Sequence, residues 1–207
     1  MKKVDLDLIS NYYKNKLIQF GDTPKGVDWN SLESQELRFK NLISIIEKKE
    51  NFSILDYGCG TASLYEFLSK KGYVNFKYFG FDINQDVISI CKKKYFDETN
   101  LFFSSNLVDF QKCDYVISSG IFNVKLQNEF KNWKDFIRNT IIEFSLMSNK
   151  GFSFNMLNTF CDENKKKDYL YYENPGDIFE YIIKNISKEL TLINSSTLYD
   201  FSILVKK

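Results

Sequence analysis

The sequence predicts an α/β fold: a doubly wound, mostly parallel sheet of seven strands, helices on both faces, and an antiparallel hairpin at the C-terminal end. Three observations carry this. From Phe52 onward, short apolar runs alternate with amphipathic stretches, the rhythm of parallel strands joined by helical crossovers. The first apolar run leads through two glycines directly into a helical stretch. After the last helix, two strand-like runs follow each other so closely that only an antiparallel pairing can join them.

Taken in order, FSILDY (52–57) is the first strand and TASLYEFLSKKG (61–72) a helix stopped by Gly72. YFGFD (78–82) is the second strand, and 84–96 a helix capped by Asn84. NLFFSS (100–105) and CDYVISS (113–119) are the third and fourth strands. A helix over 130–148 precedes GFSFNML (151–157), the fifth strand. NPGDIFEYIIKNIS (174–187) is a helix with Pro175 in its first turn. ELTLINSS (189–196) and LYDFSILVKK (198–207) form the closing hairpin. Upstream, SLESQELRFKNLISIIEKK (31–49) places Leu32, Phe39, Leu42, Ile43 and Ile46 on one helical face, expected against the sheet. FGDTPKGVDWN (20–30), with two glycines and a proline, is expected to be loop. We therefore divide the chain into a helical cap or lid, 1–50, and a ligand-binding domain, 51–207, in one compact unit.

Composition excludes several classes of function. Lys plus Arg number 28 and Asp plus Glu 27, so no global field attracts nucleic acid or an anionic membrane. The basic runs Lys92–Lys94 and Lys165–Lys167 read first as solvated faces, with a handle on an anionic substrate as the alternative. No apolar stretch reaches the roughly 18 residues of a membrane span, and the N-terminus MKKVDLDLISNYYK lacks the apolar core of a signal peptide. Cys59, Cys91, Cys113 and Cys161 form no CxxC pair and read as reduced thiols of a cytoplasmic protein. The chain contains 0 histidines, which removes Ser-His-Asp and Cys-His catalysis and leaves no zinc site; no metal is expected. Acid–base work falls to Asp, Glu, Lys, Tyr or Cys, or is not needed. The 20 Phe and 13 Tyr read mostly as core.

The chemistry concentrates in ILDYGCGTASLYEFL (54–68). A loop leaving the C-terminal end of a first strand and opening a helix is the usual ligand crevice of an open α/β sheet. Gly58 and Gly60 allow close backbone approach, and the helix N-terminus offers free N–H groups. A dinucleotide loop would need glycine at 63, where Ser63 stands, and would not place Asp56 against a pyrophosphate. An acid there suits a cationic ligand. S-adenosyl-L-methionine carries an ammonium and a sulfonium without phosphate: Asp56 can hold the ammonium, and the loop and helix N-terminus the carboxylate. Asp82, ending the second strand, is placed to accept both ribose hydroxyls, a role shared with nicotinamide enzymes. Asp56 together with Ser63 separates the two.

ILDYGCGTAS and YFGFDINQDVI resemble the first and second motifs of the class I S-adenosylmethionine-dependent methyltransferases, over roughly 52–157. The resemblance implies a Rossmann-like fold, a methyltransferase activity, and a donor site of Asp56, Tyr57, Gly58, Cys59, Gly60, Asp82 and Ile83. It further implies that Asn106, Leu107 and Asp109 meet the adenine, and that SSGIFN (118–123), with Ser119, lines the transfer site. Two departures are informative. SSGI lacks the Asx-Pro-Pro-aromatic motif that grips a flipped base, so a nucleic-acid target is not expected. Ala62 stands where glycine is commoner. The segments 21–39, 118–125 and 153–158 resemble small bacterial methyltransferases, several of which accompany surface-polysaccharide or small-metabolite genes. That implies a small acceptor.

Acceptor-side candidates come from three places: Tyr12, Tyr13, Trp29, Gln35 and Arg38; Asn123; and Asn155 with Asn158, followed by the polar loop 159–168, Tyr171 and Tyr172. Of these, Tyr13, Arg38, Asn123 and Asn155 are the expected catalytic residues, with Arg38 a guanidinium suited to a carboxylate or phosphate. The expected function is O-methylation of a sugar, phosphate or phosphoramidate group for a capsule or surface polysaccharide. The alternative is a donor-binding scaffold or partner subunit without its own acceptor pocket. The expected partner is an anionic or sugar-bearing small molecule; no nucleic acid and no membrane are expected, and the chain is expected as a monomer or homodimer.

Overall fold

The computed structural model describes residues 4–195 and 198–207. The short turn expected between the last two strands, with Ser196, lies outside the described residues. Strands β1 (Ser53–Tyr57), β2 (Lys77–Phe81), β3 (Leu101–Ser104), β4 (Cys113–Ser118), β5 (Ser148–Asn158), β6 (Tyr172–Glu173), β7 (Leu190–Ser195) and β8 (Asp200–Lys206) form one sheet. Its order is β3-β2-β1-β4-β5-β8-β7. Strands β1 to β5 run parallel, and β8 pairs antiparallel to both β5 and β7. The seven expected strands are these; the eighth, β6, is a two-residue strand pairing with the end of β5, too short to show a period in the sequence.

Six α-helices cover the sheet among the described residues: α1 (Leu6–Phe20), α2 (Leu32–Ile43), α3 (Ser63–Lys70), α4 (Gln85–Lys94), α5 (Phe130–Met147) and α6 (Pro175–Asn185). Strand alternation divides the core into two. Ile54, Tyr78, Tyr115 and Ile117 point to one face, where Phe39, Leu42, Phe67, Leu68, Ile88 and Cys91 of α2, α3 and α4 cover them. Leu55, Val116, Phe152 and Phe154 point to the other, under Trp133, Ile137, Ile141 and Phe144 of α5 and Ile178 and Ile182 of α6. Helices on both faces are what a parallel sheet requires.

The helix boundaries follow local chemistry. Asn84 caps α4, its Oδ1 accepting from Asp86 N at 3.0 Å and Val87 N at 3.4 Å. Pro175 opens α6, where its missing N–H costs nothing. Between residues 4 and 50 lie two α-helices, α1 and α2, of which only the second was expected. Asp5 starts α1, accepting from Leu8 N at 3.0 Å. Within 20–30 the loop contains a 3-10 turn, Pro24–Val27. Phe39, Leu42, Ile43 and Ile46 are buried as their spacing predicts, whereas Leu32 at the helix start is exposed. All four cysteines are free and buried, and no described helix is long and apolar enough to cross a membrane.

Gly151 marks the tightest point of the central sheet: a Cβ there would stand 2.3 Å from the Val205 carbonyl oxygen of β8. Gly151→Ala is expected to destabilise the fold by about 1–3 kcal/mol, read as a lower urea midpoint at unchanged slope. A midpoint equal to wild type would show that β8 shifts freely.

Candidate functional site

The strand order reverses between β1 and β4, and a crevice opens beyond their C-terminal ends. A cavity of about 550 Å³ fills it, within the roughly 300–1,000 Å³ usual for small-ligand sites. The loop after β1 supplies its floor. Gly58 adopts φ +83°, and a Cβ on it would lie 2.3 Å from Ile121 Cγ2, so only glycine fits. Ala62, with φ +65°, takes the left-handed position that opens α3 despite its methyl.

The loop is held by its own amides. Gly58 N and Cys59 N donate to the Phe81 carbonyl at 2.7 and 2.9 Å. Gly60 N donates to Asp82 Oδ2 at 3.0 Å, and Asn84 N to Asp82 Oδ1 at 2.9 Å. The 58–60 amides are therefore occupied, contrary to the expectation that they receive a ligand carboxylate. The N–H groups of Thr61, Ser63 and Leu64 at the start of α3 carry no bond to a described acceptor and are left for that task. Asp82 is fixed through both oxygens, each keeping a second lone pair for a hydroxyl donor. Burial raises its carboxyl above the ordinary range, opposed by those two backbone bonds.

Asp56 is buried at the end of β1 and accepts a short hydrogen bond from the Tyr78 hydroxyl. Burial pushes its carboxyl up to about 7; the Tyr78 bond lowers it and the Asp82 charge raises it. The floor thus offers one buried acid, Asp56, and one half-buried acid, Asp82, geometry suited to a cation and a diol and hostile to pyrophosphate. Ser119, at the end of β4, adds a buried hydroxyl with no partner among the described residues.

Asp56, Tyr57, Gly58, Cys59, Gly60, Asp82, Ile83 and Ser119 all line this cavity, with Tyr13, Arg38 and Asn123. Three expected donor-site residues do not. Asn106, Leu107 and Asp109 lie in and just before a 3-10 turn after β3 that closes on itself: Asn106 N donates to Ser104 Oγ at 3.1 Å, and Ser104 Oγ donates to Asp109. The wall there is made instead by Ile83, Asn84 and Val87. The Tyr57 ring turns from the cavity to α5, donating to Glu143 Oε2 at 2.7 Å and packing on Phe81 and Phe144.

The expected catalytic residues separate similarly. Asn155 is not in the cavity wall. Its Oδ1 accepts from Gly120 N at 2.9 Å and its Nδ2 donates to Asp200 Oδ2 at 3.0 Å, so it supports the loop after β4. Arg38 reaches the wall, but it is buried: its Nε donates to Asp200 Oδ2 at 2.5 Å, Nη1 to Ser34 O at 2.9 Å and Nη2 to Leu198 O at 3.2 Å. Trp29 covers the guanidinium at 4.3 Å. Its charge is committed internally rather than presented at a crevice edge. Burial, then the Asp28 and Asp82 charges, raise the Tyr13 phenol, so it stays protonated and offers no base. Asn123 faces the cavity while its Oδ1 accepts from Leu157 N at 3.3 Å. Tyr12 donates to Asp28 at 2.7 Å, Asn158 to Asn194 at 2.7 Å and Tyr171 to Glu173 at 2.8 Å, none of them in the wall.

Of α1 only Tyr12 and Tyr13 were expected at the site; Tyr13 lines the cavity together with Leu6, Ile9, Ser10 and Leu17, which were not expected there. The signal was the Asp5 cap followed by apolar residues at helical spacing. Lys165, Lys167 and Tyr169 from the loop after β5 also line it, and neither lysine has a carboxylate partner among the described residues. Lys166 between them is the one paired, with Glu163. No group of described residues is arranged to hold a metal.

A family model described as a methyltransferase domain matches residues 48–195. Rv1506c of Mycobacterium tuberculosis, a protein assigned as a methyltransferase, is 33% identical over 164 residues, covering 79% of this chain and 98% of the relative. Among solved structures, the N-methyltransferase NodS of Bradyrhizobium japonicum with bound S-adenosyl-L-homocysteine superposes with a TM-score of 0.63 at 14% identity, covering 96% of this chain and 97% of NodS. A chain of the Pnkp1/Rnl/Hen1 RNA repair complex superposes with a TM-score of 0.62 at 17% identity, over 84% of this chain but 42% of that one.

Two stability tests follow from the buried charges. Arg38→Ala leaves Asp200 buried and unpaired, at an expected cost of about 3–5 kcal/mol; a loss below 1 kcal/mol in urea unfolding would show that Asp200 is reached by solvent. Asp56 has its carboxyl raised from 3.8 to about 7 in the folded chain. Folding therefore binds a proton between these values, and stability falls as pH rises through that window, by up to about 1.4 kcal/mol per unit. The stability of Asp56→Asn relative to wild type is expected to increase from pH 4 to 7; a difference independent of pH would place the proton elsewhere.

Proposed function

The chain belongs to the S-adenosylmethionine-dependent methyltransferases, and on that premise we propose that it methylates an oxygen of a small, oxyanion-bearing acceptor. One observation carries the acceptor half. Charge is divided across the cavity: Asp56 and Asp82 stand at the ends of β1 and β2, while Lys165 and Lys167 stand on the loop after β5, on the other side of β4, and the third acid of the wall, Asp28, is paired with Lys16 at 2.8 Å. A cationic donor belongs at the first end and an anionic acceptor at the second.

The donor, when bound, supplies a methyl on a positively charged sulfur, whose bond to carbon breaks as the acceptor oxygen bonds to that carbon. The chain's residues hold the two ends apart and in line. Asp56 is placed to take the ammonium, Asp82 the ribose hydroxyls through its spare lone pairs, and the free amides at the start of α3 the carboxylate. Ser119 and Ile121 lie where the two halves meet, and Trp29, Tyr13 and Tyr169 shield the cavity from water. Alignment of this kind is worth about 7–11 kcal/mol. An acceptor already anionic needs no base, in keeping with a chain that has 0 histidines and a protonated Tyr13. Among such acceptors we favour a phosphate- or phosphoramidate-bearing precursor of a surface glycan, on the likeness of 21–39, 118–125 and 153–158 to small bacterial methyltransferases. The balanced net charge supports a small acceptor over nucleic acid.

The donor half is tested by calorimetry with S-adenosylmethionine. Asp82→Ala is expected to weaken binding about 10- to 100-fold; unchanged affinity would move the ribose elsewhere. Because the cation favours ionised Asp56, wild-type affinity is expected to fall as pH drops below about 7, and Asp56→Asn to lose that dependence. The acceptor half is tested by mass spectrometry of methyl transfer to paired phosphorylated and neutral sugars. Transfer to the phosphorylated members, with a raised KM in a Lys165→Glu, Lys167→Glu double variant, is expected. Transfer to neutral sugars alone would overturn the reading.

A further inference from the structure

The wall between the lysine rim and the floor proposed for the donor holds side chains with polar atoms that have no partner among the described residues. Gln35 of α2 is buried to 4% exposure and lines the cavity, yet its amide makes no hydrogen bond among the described residues. Neither amide atom is sealed off from the cavity. Asn123 is buried to 7%, and because its Oδ1 accepts from Leu157 N, its Nδ2 is the end left free. Arg38 donates three of its N–H groups, one from each nitrogen, to Asp200, Ser34 and Leu198. A guanidinium has five, so its edge keeps spare donors on Nη1 and Nη2.

Polar side chains inside a folded protein are normally satisfied by protein, and those that open onto a cavity are left to water or to a ligand that replaces it. The Gln35 amide, Asn123 Nδ2 and the spare Arg38 N–H groups stand together on such a wall. Most spare atoms on this wall are N–H donors; the spare acceptors in the cavity lining are Gln35 Oε1 and the Ser119 hydroxyl oxygen. The neighbouring carboxylate, Asp200, lies behind the wall: its Oδ2 is engaged by Arg38 and Asn155, and its Oδ1 is buried with no partner among the described residues. A donor-rich wall with two lysines at its rim suits an oxyanion.

We propose that Gln35, Asn123 and the Arg38 edge form a buried oxyanion subsite, fed by Lys165 and Lys167 at the rim, that reads a phosphate monoester or a carboxylate on the acceptor. This rests on the anionic-acceptor reading above and assigns the residues that select the anion. Gln35 and Arg38 lie outside the matched methyltransferase domain, 48–195, as a feature specific to this chain's acceptor would. Arg38 is held by Asp200 and Trp29 for this purpose, so a lysine in its place would not serve.

The test is calorimetric titration of glycerol 3-phosphate, lactate and glycerol into the full chain, with and without S-adenosylhomocysteine. Saturable binding of glycerol 3-phosphate, lactate or both, with none of glycerol, is expected, and the two anions tell a phosphate from a carboxylate reader. Gln35→Glu and Asn123→Asp keep shape while reversing the wall's charge preference. Each is expected to weaken the anion at least tenfold while leaving S-adenosylhomocysteine affinity within twofold, which also reports an intact fold. Gln35→Met, which removes the donors without adding charge, is expected to fall between. Anion binding equal in wild type and all three variants, binding of glycerol as tight as its phosphate, or no anion binding to the wild type would each overturn the subsite. Failure of S-adenosylhomocysteine to bind the wild type would instead strike the donor reading, since the anion titration runs without it.

Discussion

The carboxylate of Asp200 is the constraint on which the working end of the molecule depends. It is almost wholly buried at the start of β8, and a buried charge is tolerated only when paired and hydrogen-bonded. Arg38 provides the pair at 2.5 Å across 162 residues of sequence, and Asn155 the second bond at 3.0 Å. Asn155 in turn holds Gly120 N at 2.9 Å, just past β4. One acid thus ties helix α2, the C-terminal hairpin, the central strand β5 and the loop after β4 into one rigid piece. Trp29 packs both on the Arg38 guanidinium and against Gly120, leaving no room for a Cβ there. Moving any of these parts would strand a buried charge.

The two halves of the cavity are built by different logic. The floor proposed for the donor is local: within each strand–loop–helix unit the backbone holds itself, and Asp82 links two consecutive units through Gly60 N and Asn84 N. Such a floor is largely independent of what the rest of the chain does. The wall proposed for the acceptor is assembled from segments far apart in sequence, α1, the 26–38 region, the end of β4, the loop after β5 and the residues before β8. Its polarity follows from which side chains those segments happen to bring together, and this is where relatives sharing the same fold can differ in acceptor.

Much of the fold was legible because its signals are short-range. Gly58 and Gly60, the Asn84 cap and the Pro175 start each act within a few residues, and the strands they bound are found within one to three residues of where the pattern puts them. The exceptions are equally physical. Leu32 is apolar and at helical spacing, but the helix begins there and its side chain meets solvent. Strand β6 exists only because β5 overruns its neighbours and offers an edge to Tyr172 and Glu173. Asn106, Leu107 and Asp109 follow β3 as expected, but β3 is the outermost strand and its loop folds onto Ser104 rather than over the cavity.

What the sequence by itself determined is the sheet, the loop after β1 and the pair of acids Asp56 and Asp82, because turn geometry and strand-end position are properties of contiguous residues. What only the tertiary structure decided is the fate of the remaining polar side chains. Arg38, read as a free guanidinium, is an internal cation because Asp200 lies opposite it; Asn155, read as a reacting amide, is a strut because Gly120 lies beside it. Gln35, one candidate among several, stands out because its amide has no partner among the described residues. Whether a polar group is satisfied depends on partners that distance along the chain does not reveal, and only the packed structure sets them against one another.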